Sequence, residues 1–140
     1  MKTNAMLEFL KQYPPLDGFI KLNSSTNEVG EVAMNTVYGD DVVSEYTSGD
    51  ADKEFVFAIV EYKEHSPNYN SINLESIVSS QDFMEWIDQQ NRKRNFPNFG
   101  MNCEIYEIRN LQNMPNLAGA DETTGKYMFL VKVRYTERRI

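Results

Sequence analysis

The chain has 140 residues, 41% hydrophobic and 12% aromatic, which suits one folded domain with a single core and lies well outside disordered composition. Its formal charge of −7 argues against tight nucleic-acid binding, which needs a basic footprint, although acidity of this size is also an ordinary route to solubility. One cysteine excludes an internal disulfide and a multi-thiolate metal site, and with no long apolar run and no signal-like start we expect a protein made in the cytoplasm that does not enter a membrane.

In chain order, the spacing predicts a helix over Thr3 to Tyr13, with Met6, Phe9, Leu10 and Tyr13 on one face. Pro14 and Pro15 stop it. A strand is expected over Phe19 to Leu22 and a clearer one over Val29 to Tyr38. Gly39-Asp40-Asp41 reads as a turn into another strand, Val42 to Thr47, and "SGDAD" turns the chain again. The stretch "FVFAIVEY", Phe55 to Tyr62, is apolar on both faces and belongs at the centre of a sheet. Pro67 to Ile72 reads as linker. Ser80 then serves as an N-cap, with Asp82 near the positive end of the dipole, for a helix whose apolar stripe is Phe83, Met84, Trp86 and Ile87. This stripe should bury Trp86 against the sheet. The helix closes in Arg92-Lys93-Arg94, and Pro97 ends it. Cys103 to Arg109 is a strand, Asn110 to Thr124 a long loop, and Tyr127 to Tyr135 a final alternating strand. The fold class is α+β: one domain over 1–140, a largely antiparallel or mixed sheet, an N-terminal and a central helix packed on one face.

Residues able to do chemistry are few. The single histidine, His65, follows a strand as an exposed loop residue, and Cys103 enters a strand as a small apolar side chain with no base nearby in sequence. No phosphate-cradling, nucleophile-elbow or HExxH motif is present. "DADKEFVFAIVE" places Asp50, Asp52, Glu54 and Glu61 at calcium-loop positions, but Phe55 stands where the loop needs a sharp turn. A strand at roughly 3.3 Å per residue carries Glu61 far from Asp50. No metal, cofactor or enzymatic activity is expected. Asp40, Asp41, Glu45, Asp50, Asp52 and Glu54 surround one predicted hairpin, with Lys53 alone opposing them. They form either a solvated tip or an acidic surface past which something slides.

The element order, the Trp86-Ile87…Asn91…Pro97 helix end, the loop "LQNMPNLAGADETTG" and the closing aromatic strand together resemble the tail terminator (tail-completion) proteins of tailed bacteriophages. These are often grouped with small minor capsid proteins of Gram-positive phages. The resemblance spans about Met6 to Arg138 and is weakest from Asn23 to Lys53. It implies a virion protein at the head-proximal end of the tail: a ring, most often of six copies, that caps the tail tube and halts its growth. Its expected partners are other copies of itself, the tail tube protein, the head–tail connector and, in a contractile tail, the sheath protein. DNA passes through such a ring without specific binding. In that reading Leu111, Met114, Pro115 and Leu117 anchor a neighbouring subunit, Arg92 and Arg94 touch an acidic partner, and Asp50, Asp52 and Glu54 line the lumen. Three alternatives stay open. The loop can be an Ω-loop folded on its own subunit. The protein can be an adaptor that recruits a chain through a sheet edge. It can also be a small cytoplasmic enzyme such as an acyltransferase.

Overall fold

The computed structural model describes residues 2–16, 18, 20–22, 29–46, 48–66, 68, 70–120 and 123–138, with backbone alone for 38–43. Helix α1 (Lys2–Leu10) and a 3-10 turn (Pro14–Leu16) precede strands β1 (Lys21–Leu22), β2 (Val32–Glu45) and β3 (Ala51–Glu64). Helix α2 (Asn70–Lys93) then leads to β4 (Cys103–Asn110), β5 (Asn116–Ala120) and β6 (Thr124–Glu137). The strands form one sheet in the order β1-β2-β3-β6-β4, and β5 pairs with β6 further along the same side as β4. Among the described strands only β1 and β2 run parallel, and the other pairings are antiparallel. The class is α+β, as expected.

Alternation puts Tyr127, Phe129, Val131, Val133 and Tyr135 on one face of β6, all buried. Opposite them in register stand Phe55, Phe57 and Ile59 of β3, then Val32 and Met34 of β2. Met6, Phe9 and Leu10 of α1 and Phe83, Met84 and Ile87 of α2 close this face into the main core. The other face of β3 carries Ala58, Val60 and Tyr62, flanked by Met128 and Leu130 of β6. Strand β3 is therefore central and apolar on both sides, as its sequence predicts. Gly125 belongs to the covered face. A Cβ there would stand 2.9 Å from the ring of Tyr127 and 3.2 Å from Cβ of His65, so any larger residue would push a neighbour aside.

Four expectations are corrected. The Gly39-Asp40-Asp41 stretch is no turn; β2 runs straight through it. Between Thr36 and Ser44 the register against β3 shifts three times, so bulges absorb the extra residues. The chain reverses only at Tyr46–Asp50, where Gly49 takes φ 93°. Second, α2 starts at Asn70, so Pro67 to Ile72 is not all linker, and Ser80 is no N-cap but lies fully buried in mid-helix. The buried positions are Ser76, Ser80, Phe83, Met84, Ile87 and Gln90, and their polar members hide the helical period. Third, Trp86 is only half-buried. Phe83 and Ile87 take the places against the sheet, and Trp86 packs on Phe9 of α1 and on Tyr13 just beyond that helix, 5.4 Å from both rings. Fourth, the fifteen-residue loop contains strand β5. Of the first predicted strand, Lys21 and Leu22 form β1, while Phe19 lies outside the described residues.

Candidate assembly surface

β4 leaves β6 at Asn110, and β5 joins it at Asn116. Between those pairs the side chain of Gln112 takes the place of a missing rung. Its Oε1 accepts from Leu130 N at 3.2 Å, and its Nε2 donates to Met128 O at 3.3 Å and to Met114 O at 2.8 Å. Leu111 N donates to Leu130 O at 2.9 Å. Asn110 ties the same point to α2 by donating from Nδ2 to Met84 O at 2.9 Å and Asp88 Oδ1 at 3.0 Å. Asn91 of α2 accepts from Ile108 N at 3.0 Å. Amide side chains thus pin a segment whose composition reads as loose loop.

That pinned segment displays its apolar groups outward. Leu111 is 36%, Met114 53% and Leu117 50% exposed, while Pro115 is half-buried. All five residues of β5 are exposed, and among the described strands β5 pairs only with β6. Leu117 pairs with Tyr127 of β6, and its Cδ1 lies 3.4 Å from where a Cβ on Gly125 would stand.

Beside the segment runs an open groove of about 410 Å³, walled by Met84, Glu85, Asp88 and Arg92 of α2 and by Gln112 and Asn113. Leu74 and Val78 fall on the same helical stripe as Gln81, Glu85, Asp88 and Arg92, and both are exposed. Sequence reading passed over them; their spacing of four residues, in phase with Arg92, was the available signal.

Arg92 therefore meets the loop at one groove, whereas Arg94 does not line it. Arg94 adopts φ 57°, the left-handed residue of a Schellman stop: Asn95 N donates to Gln90 O at 2.9 Å and Arg94 N to Asn91 O at 3.1 Å. Glycine normally fills that position. Here the guanidinium lies 5.3 Å from the Phe96 ring centre.

The acidic hairpin is more neutralised than its sequence suggests. Glu54 faces Lys132 Nζ at 3.3 Å and Arg134 Nε at 3.6 Å. Asp52 accepts from Thr136 Oγ1 at 2.7 Å and Tyr46 OH at 2.8 Å, and those two bonds hold its carboxyl below the ordinary carboxylate range. Lys53, expected to oppose these acids alone, instead pairs with Glu137. Asp50 sits half-buried at the turn, and the side chains of Asp40 and Asp41 lie outside the described residues.

His65 is half-buried and its amide donates to Thr123 O at 3.0 Å; Cys103 is half-buried at the start of β4. Among the described residues no three His, Cys, Asp or Glu side chains are placed to hold a metal ion, and no helix is long and apolar enough to cross a membrane. Compared with known proteins, the sequence matches no protein-family model and no curated protein.

Proposed function

We propose that the protein is a structural assembly subunit of a phage-type tail. Copies join head to tail in a closed ring of six, cap the tail tube, stop its growth and present a surface to the head-side connector. The observation that carries this reading is the half-exposed pair Met114 and Leu117, the first in the hydrogen-bonded bend that leads into edge strand β5 and the second on β5 itself. An exposed edge with apolar side chains is a template for another chain, and proteins that stay monomeric blunt such edges with charge or cover. Between Asn110 and Ala120 no residue is charged. Heterologous contacts close into rings when the rotation per subunit is right. Arg92, in the adjoining groove, gives the neighbour a charged register point. The resemblance noted in the sequence supplies the six-fold count and the tube as partner.

The test is negative-stain microscopy of purified protein mixed with tail tubes, beside native mass measurement. Six copies on tube ends are expected; a single copy in the assembled particle overturns the reading. The open edge of β5 also suits a second function, an adaptor that adds a partner's strand to the sheet. It differs in giving a one-to-one complex of monomers.

A further inference from the structure

At the far end of β3 from the hairpin, Tyr13, Leu16, Val32, Glu61, Lys63 and Ser79 wall a cavity of about 240 Å³. Its floor holds a carboxylate that the ring reading does not use. Glu61 is 3% exposed, on the face of β3 that carries Phe57 and Ile59. Lys63 Nζ stands 3.0 Å from its Oε2 and donates to Ser79 Oγ at 2.9 Å. Glu61 Oε1 has no partner at full hydrogen-bond distance among the described residues; the buried Ser80 hydroxyl nearby, itself without a partner there, is the one protein donor that pulls on this carboxylate besides Lys63. A buried acceptor left unpaired costs about 1–3 kcal/mol, more when charged. Burial pushes the Glu61 carboxyl up, against the pull of Lys63 and of the nearby Ser80 hydroxyl. The Tyr13 hydroxyl is pushed up by burial first and then by the charges of Glu61 and Asp82.

We propose that this cavity binds a cationic head on a short apolar stem, a guanidinium or primary ammonium of the kind that ends an Arg or Lys side chain. The head donates to Glu61 Oε1 while Lys63 keeps Oε2, so each carboxylate oxygen has its own cation. The stem lies along Leu16 and Val32. At ~30 Å³ per water-sized group, the space takes about eight heavy atoms, below the range of drug-sized sites and near the size of a butylguanidinium. The inference stands apart from the ring reading and holds whether or not rings form.

The full chain is titrated with butylguanidinium, butylammonium and the neutral, near-isosteric butylurea, with amide NMR shifts as readout. Saturable binding of both cations is expected, centred on Glu61, Lys63 and Ser79, with butylurea at least tenfold weaker. Glu61→Gln should weaken the cations at least tenfold with an unchanged circular dichroism spectrum. Ser79→Arg, at an exposed helix position that tolerates substitution, should block them by placing its own cation at the carboxylate. Equal binding of butylurea, undiminished binding by folded Glu61→Gln, or no saturable binding of either cation overturns the proposal. Native mass at saturating butylguanidinium separates the sources. Dissociation of an oligomer assigns the site to a side chain of another copy, and unchanged mass with binding retained assigns it to a free small cation.

Discussion

Replacing Met114 and Leu117 together with Asp separates folding from assembly, because the two side chains divide their surface between home and solvent. Fully burying a Leu or Met stabilises by about 1.5–3 kcal/mol. With about half of each hidden at home, the pair contributes on the order of 1.5–3 kcal/mol to the fold. Strand propensity on exposed β5 adds less than about 1 kcal/mol. A domain with roughly 5–15 kcal/mol of stability survives that loss. At a subunit contact the effect is larger, since a carboxylate buried without a partner costs about 3–5 kcal/mol. Three kcal/mol is already more than a hundredfold in affinity at each joint of a ring. The expected outcome is a native circular dichroism spectrum, a modest drop in melting temperature, no rings by electron microscopy and tails that outgrow their set length. Native spectra with normal rings refute the interface, and a lost spectrum shows that the segment belongs to the core.

Three further outcomes are expected. Phe83→Ala, at a fully buried position between Tyr13 and Phe129 of β6, should cost about 3–5 kcal/mol in urea unfolding, and half-buried Trp86→Ala clearly less; the reverse order refutes the packing. Glu61→Gln should gain stability relative to the parent as pH rises. Burial raises the Glu61 pKa in the folded state, so its favourable contribution is complete below the unfolded value near 4.3 and is lost as pH climbs through the folded value. Parallel stability–pH curves for the two proteins contradict this. Glu54→Lys places a third cation beside Lys132 and Arg134 and should cost about 1–3 kcal/mol, with part recovered in Glu54→Lys/Arg134→Glu; no recovery means that the pairs are incidental.

The sequence made plain those elements whose burial and polarity alternate in phase. The β6 stripe from Tyr127 to Tyr135 and the Met6-Phe9-Leu10 face both lie where apolar spacing puts them. The first ten residues of α2 were hidden because its inward positions there are serines: Ser76 donates to Glu64 O at 2.7 Å instead of filling volume. Gly39 misled for a related reason, since a glycine followed by two acids signals a turn locally, while pairing with β3 converts it to bulged strand. Glu61 could have been placed inward, being in phase with Phe57 and Ile59, but nothing in a one-dimensional pattern shows that one of its oxygens lacks a partner. The cations facing Glu54 come from β6, far along the chain, so the hairpin's apparent excess of acid dissolves only once the strands pair.

The segment from Asn110 to Leu117 shows how poor local signals and definite structure coexist. Asn, Gln and Pro weaken both helix and strand tendencies, so periodicity finds nothing there. The same amides can each donate and accept, which makes them substitutes for backbone where a ladder is interrupted. Gln112 bridges Leu130, Met128 and Met114, and Asn110 fixes the exit from β4 to α2. A segment held this way pays little of the ordering entropy that flexible loops lose on association. Exposure of Met114 and Leu117 is then a fixed presentation. In the ring proposed above, such a rigid edge would set the rotation per copy, and with it whether a chain of contacts closes into a ring or runs on as a filament.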